Sequence, residues 1–317
     1  MCIVFVALQA HRRWSVVVAA NRDEFVTRAA DRVAQWECPH KLLGGRDAVA
    51  GGTWMGVNTD DGRWAALVNV APPLGLPVGE GAPSRGTLPT QYLTSGSAAE
   101  PARFAQEISM DPRTRSMAGH TLLVGSRGGC AAYVCNRGDA EGDGCRELQP
   151  GDIVALSNDA VTSHSDSCWA KASRGKALLA DILNSDGDRD GQGLAGLLLD
   201  MLTDEHKDVA PAKRHGYTPG GERSGAAFTE YSSAHPERPE IPIFIAPPAE
   251  FRTRCSTVLL VERESQNMFY VERSHDDGSE PSHIPGTRSF FLAGTGKGSV
   301  VGGGGGGTTP ATGTSRL

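Results

Sequence analysis

The sequence predicts an α+β fold, on three observations. Apolar, β-branched runs of strand length come in adjacent pairs separated by short polar turns. Segments with helical spacing stand in blocks instead of alternating with single strands, and strand pairs return after the last block. Strands that pair as hairpins build antiparallel sheets. Helices that are not crossovers between parallel strands then pack outside those sheets.

The elements follow in order. Cys2–Leu8 and Trp14–Ala20 are strands flanking the polar stretch Gln9–Arg13. Gly51–Val57 and Trp64–Val70 are joined by Asn58–Arg63, which contains Asp61-Gly62, and Pro72-Pro73 ends the second. Thr87–Ser95 and Glu100–Met110 read as short helices. His120–Gly125 and Cys130–Cys135 pair around Arg127-Gly-Gly129, and Gly151–Leu156 is a strand ending in Ser157-Asn158. Trp169–Leu183 and Leu194–Leu202 have helical spacing, with the polar loop Ser185–Gly193 between them. The stretch 207–239 is long, polar and rich in Gly, Pro and Ser, which predicts a flexible insertion. Regular structure is expected again at Ile241–Ile245. Thr257–Glu262 and Met268–Glu272 form a final hairpin, and Thr287–Leu292 adds an edge strand. The tail from Thr295, with the run Gly302–Gly307, is expected to be disordered. One domain over 1–294 is therefore predicted, with the insertion at about 207–239 and a disordered tail at 295–317.

Composition narrows the function. The 317 residues carry a net charge of −6 without a basic block, which argues against a nucleic-acid partner or an anionic membrane surface. No apolar run approaches the roughly 20 residues of a membrane span, and the start resembles neither a signal nor a transit peptide. A cytoplasmic protein is the expectation. Cysteines number seven, with no CxxC pair, and the nine histidines form neither HxxxH nor HxH. Reduced thiols follow, and neither a metal nor another cofactor is assigned.

Cys2 is the most informative candidate residue. Removal of Met1 would leave a thiol and a free α-amine on one residue. Such amines titrate near about 7.7–8.0 and thiols near about 8.5, so the amine can take the thiol proton. The alternative is a small apolar residue opening a strand. Asn21-Arg-Asp-Glu24 follows an apolar strand. It reads either as a polar turn or, if a hairpin brings the end of the second strand back beside Cys2, as a carboxylate (Asp23) for the α-ammonium and polar groups (Asn21, Arg22) for a substrate. Asn69 and Asn158 stand at strand ends, as turn residues or as amide donors to an oxyanion. Arg254 precedes a strand, either solvated or binding a carboxylate or thiolate. Gly51-Gly-Thr-Trp-Met-Gly56 lacks the phosphate-loop spacing and Lys; it reads as a flexible backbone around a buried or ligand-facing Trp54.

Met1-Cys2-Ile3, Ala19-Ala-Asn-Arg-Asp-Glu-Phe25 and Gly51-Gly-Thr-Trp-Met-Gly56 together resemble the NRDE family, the transport and Golgi organization protein 2 family. Ala65-Ala-Leu-Val-Asn69, Arg85-Gly86, Asn136-Arg-Gly138, Leu156-Ser-Asn158, Trp169-Ala-Lys171, Thr253-Arg254 and Glu272-Arg-Ser274 extend the match in family order. At greater distance the family is similar to N-terminal-nucleophile hydrolases of the choloylglycine and penicillin V acylase type. That resemblance implies an αββα four-layer sandwich, with Cys2 as nucleophile, Asp23 near its amine, Asn69 and Asn158 at the oxyanion and Arg254 as the late arginine. One departure stands out. Those hydrolases carry an Arg shortly before the Asp, where this chain has Ala20, and Arg22 is expected on the other strand face. The family resemblance further implies roles in Golgi organisation, protein secretion and mitochondrial lipid and haem handling, with Golgi or mitochondrial partner proteins. The ligand expected is a small apolar or acylated molecule, or a haem-like one. The alternative is a working amidohydrolase acting on a small acylated amide.

Overall fold

A computed structural model describes residues 2–37, 41–70, 84–96, 100–138, 144–161, 167, 169–185, 187–206, 242–275, 286–294, 300–305 and 315–316. The insertion expected at 207–239 lies outside them, as does most of the 295–317 tail.

The fold is α+β, built on two antiparallel sheets. The first contains β1 (Ile3–Leu8), β2 (Trp14–Phe25), β10 (Ile153–Leu156), β11 (Phe251–Glu262), β12 (Met268–Ser274), β13 (Gly286–Leu292), β14 (Val300–Gly305) and β15 (Ser315–Arg316). Its order is β10-β1-β2-β11-β12-β13-β14-β15. The second runs β3 (Ala30–Gln35), β4 (Leu42–Asp47), β5 (Met55–Asn58), β6 (Trp64–Asn69), β7 (His120–Gly125), β8 (Ala131–Cys135), β9 (Cys145–Glu147) in sequence order. Helices α1 (Thr87–Thr94), α2 (Pro101–Met110), α3 (Pro112–Ser116), α4 (Ala170–Ser185) and α5 (Gly191–Met201) complete the described elements.

The cores explain why β1 shows no polar alternation. Val4, Val6 and Leu8 enter the core between the sheets with Val57, Ala66 and Leu123. Ile3, Phe5 and Ala7 enter a second core with Leu179, Leu194 and Leu198 of α4 and α5. A third core joins Ala65, Leu122 and Val134 to Leu88, Tyr92 and Phe104 of α1 and α2. Both strand faces are buried, so both are apolar, and the layers run helix, sheet, sheet, helix.

Several boundaries differ from the sequence reading. β2 does not stop at Ala20 but runs through Asn21-Arg-Asp-Glu24 to Phe25, because β11 pairs with it along that whole length. Gly51–Trp54 is a turn, and the strand there begins only at Met55. Described residues 242–250 form bends and turns where regular structure was expected from 241 to 245. The 287–292 segment lies inside the sheet, between β12 and β14. β3, β4, β9, α3 and, within the stretch expected to be a disordered tail, β14 and β15 were not foreseen.

Candidate functional site

Cys2 lies just ahead of β1. The β1–β2 register sets Ile3 opposite Asn21, so Cys2 sits beside Arg22. It is buried, and its thiol donates weakly to the Asp23 carbonyl oxygen at 3.7 Å. Burial pushes this thiol above its ordinary value; the amino-terminal charge pulls it down, and Asp23 raises it again.

Beside it a small pocket lies between the sheets, walled by Cys2, Val4, Ala20, Arg22, Trp54 and Leu67 among others. Alternation along β2 decides who faces it. Ala20 and Arg22 are two residues apart and share the inter-sheet face. Arg22 therefore points to the same side as Ala20, which corrects the expectation that it would lie on the other face. Its guanidinium stacks on the Trp54 ring, 4.4 Å from the centroid. Gly45 on β4 leaves room for that ring, since a Cβ there would stand 2.1 Å from it.

Asn21 and Asp23 occupy the opposite face, toward α4 and α5. Asn21 touches the cavity edge, but its amide donates to Leu202 O and Ile243 O, both at 2.8 Å, and its Oδ1 accepts from Ser256 Oγ at 2.6 Å. Asp23 Oδ1 accepts from Thr253 Oγ1 at 2.7 Å.

Next to Cys2, Ser157 ties the end of β10 to the start of β1, and Asn158 links the two sheets. Ser157 Oγ donates to Cys2 O at 3.0 Å, and Asn158 Nδ2 donates to Asn69 O at 2.6 Å. Here Asn69 accepts through its backbone. Arg254, buried at a bulge in β11, donates from Nη1 to the carbonyls of Phe25, Val26 and Arg28 at 2.9, 3.2 and 3.3 Å. These bonds fasten the turn after β2. The structure thus brings Cys2, Arg22 and Trp54 together at the cavity, with Asp23 behind them and Asn158 at one end.

Two further basic residues meet the site. Lys171 is 1 % exposed in the first turn of α4. Gly175, one turn later on the same face, lies against Phe5, where a Cβ would be 2.1 Å from the ring. That approach lays the start of α4 over the start of β1 and β2. Burial lowers the Lys171 amine from its usual value, while Asp23, Cys2 and Asp159 hold it up. Arg85, lowered by burial and raised by Cys2 and Glu24, donates to Gly119 O at 2.9 Å. The sequence carried a signal for Lys171. It heads the buried stripe 171, 175, 179, 183, where a charged residue is out of place.

Among the described residues no group of three His, Cys, Asp or Glu could hold a metal. No helix among them is long and apolar enough to cross a membrane.

A family model described as Transport and Golgi organisation 2 matches residues 1–277. The Transport and Golgi organization protein 2 homolog of Bos taurus is 27% identical over 302 residues, covering 92% of this chain and 99% of that protein. Its Homo sapiens counterpart is 27% identical over 288 residues, 87% of this chain and 94% of that protein. Transport and Golgi organization protein 2 of Drosophila melanogaster is 24% identical over 217 residues, 65% of this chain and 74% of that protein.

Proposed function

We propose, from the premise that this chain belongs to the Transport and Golgi organisation 2 family, that it is a ligand-handling protein whose inter-sheet cavity takes a small apolar or acylated molecule. The observation that carries this reading is the cavity itself, which sets a buried thiol, an arginine and an indole among aliphatic walls. The relatives are named for transport and Golgi organization. With that role the proposal takes in protein secretion, lipid or haem handling, and a place in the cytoplasm with Golgi or mitochondrial partners.

The second reading is an amidohydrolase, supported by Cys2 at the cavity wall. Removal of Met1 would free the α-amine. Cys2 Sγ would attack an amide carbonyl and pass its proton through that amine to the departing nitrogen as the C–N bond breaks. Water would then hydrolyse the thioester. Three features weigh against it as the principal function. The thiol is raised by burial; Asn158 Nδ2 gives one of its two N–H donors to Asn69 O; and the described Arg254 bonds run to the turn after β2.

Intact mass together with binding separates the readings. Retention of Met1, or acetylation of the amine, removes the base and ends the hydrolase reading. With Met1 absent, a Cys2 acyl adduct from acyl amides would establish it. Unchanged ligand binding by Cys2→Ala, without any adduct, is the result expected for ligand handling. Failure of the intact chain to bind apolar ligands at all would refute that reading.

A further inference from the structure

The pocket beside Cys2 is closed, and one of its walls is unlike the rest. Of the nine residues that line it, eight are buried and Trp54 alone is half-buried. Among the described residues, the way from solvent to the pocket therefore runs past the indole. The space behind it has room for about one water molecule. Anything larger enters only when a wall moves.

The backbone around Trp54 is pinned. Trp54 O accepts from the Leu67 amide at 2.8 Å, and the Thr53 amide donates to Gly86 O at 3.2 Å. Thr53 Oγ1 donates to Met55 O at 2.8 Å. The side chain is held less firmly. Its ring rests on the Arg22 guanidinium, 4.4 Å from the centroid, and against Gly45. Its Nε1–H is buried and meets no acceptor among the described residues. Stacking favours the closed position, whereas the unmet N–H disfavours it, since water would accept from that donor outside. Arg22 keeps its counter-charges if the ring leaves: Asp47 Oδ2 and Glu24 Oε2 stand 3.6 and 3.9 Å from its Nη2. The turn itself is at the surface. Val49 is exposed, and a Cβ on Gly51 would meet no atom within 4 Å. Rotation about the two side-chain torsions of Trp54 moves the ring without disturbing the pinned backbone.

We propose that the Trp54 indole is a gate. Stacked on Arg22 it closes the pocket beside Cys2, and swung out it admits a molecule larger than water. The inference rests on the ligand-handling reading for what enters, and adds how it enters.

The test is the rate at which iodoacetamide modifies Cys2 in the full chain, read by peptide mass spectrometry. Cys135, buried on β8, is the internal control, and circular dichroism confirms folding. Trp54→Ala should speed Cys2 modification about tenfold or more, as expected when the open state of the parent is a minor one. Gly45→Ala keeps the indole but puts a Cβ 2.1 Å from it, so the ring must leave its seat and Cys2 should again react faster. In Gly45→Ala/Trp54→Ala that Cβ has no ring to displace, so the double variant should match Trp54→Ala alone. An unmoved Cys2 rate in either single variant overturns the gate, as does a double variant faster than Trp54→Ala. Cys135 accelerating in step with Cys2 also overturns it, because the whole sandwich has then loosened. Calorimetric titration with hexan-1-ol reads the ligand separately. Absence of binding with the expected Cys2 rates removes the ligand-handling reading and leaves the gate; binding with unmoved Cys2 rates does the reverse.

Discussion

Lys171 changes the electrostatics around Cys2 from the far side of the sheet. An ammonium that is 1 % exposed is tolerable only among counter-charges, and Asp23 and Asp159 supply them. Removing it strands the buried Asp23 carboxylate. Lys171→Met should therefore lose about 3–5 kcal/mol of stability in denaturant titrations. The double variant Lys171→Met/Asp23→Asn should lose clearly less than the sum of the two single changes. Strict additivity would show that Lys171 and Asp23 are not coupled. The same ammonium favours the thiolate, so alkylation of Cys2 by iodoacetamide should shift to higher pH in Lys171→Met; an unmoved profile would contradict this. Much of the neighbourhood was legible at this scale. Cys2, Asp23, Asn158 and Trp54 stand out in the sequence as polar or reactive groups at breaks in apolar runs. What they bond to was not legible. Thr253 on Asp23, and Asn69 O beneath Asn158, are contacts between segments far apart in the chain, and no local pattern encodes them.

Among the elements, β2 was the instructive error. Its tail Asn21-Arg-Asp-Glu24 is polar, so propensity argued for a turn, yet β11 pairs with it out to Phe251–Phe25. Tertiary pairing overrode local preference. β3 and β4 were missed for related reasons. β3 is an edge strand with one fully buried residue, and β4 carries Gly44-Gly45, which reads as a loop until Trp54 is placed against it. The α4–β1 contact provides a test of packing at this level. A Cβ on Gly175 would stand 2.1 Å from Phe5 Cζ, inside van der Waals contact, and that ring is buried without slack in the second core. Gly175→Ala trades better helix propensity for this clash. The clash should prevail, with a net loss of about 1–3 kcal/mol by urea unfolding. Gly196 on α5, where a Cβ would meet open space, is the control: Gly196→Ala should be neutral or stabilising. A Gly175→Ala protein as stable as the parent would mean that α4 does not approach β1 this closely.

At the scale of the whole molecule, the sandwich buries titratable groups whose effects on stability have opposite signs. His120 on β7 is fully buried; its Nδ1 lies 2.9 Å from Ala118 O and its Nε2 has no partner among the described residues. Burial, with Arg85 and Arg137 nearby, lowers its pKa to about 4. Between the ordinary value near 6.5 and about 4, the unfolded chain takes up a proton that the folded chain refuses. Stability therefore falls as pH falls through that window, by at most about 3 kcal/mol. Glu272 works the other way. It lies between the sheets, accepting from the Val33 amide at 2.8 Å and from Thr257 Oγ1 at 3.3 Å, and burial raises it above the usual carboxylate value. The folded chain keeps that proton longer than the unfolded one, so stability is lost as pH rises above about 4.5. In the parent protein the two trends partly cancel, and single neutral variants separate them. His120→Gln should melt relatively better as pH is lowered from 7 toward 4.5, because it removes only the acid-side loss. Glu272→Gln keeps an acceptor for the Val33 amide and should gain on the parent as pH rises over the same range. Thermal melts of the three proteins at matched pH decide the matter: offsets that stay constant from pH 4.5 to 7 would show that neither group's titration is linked to folding.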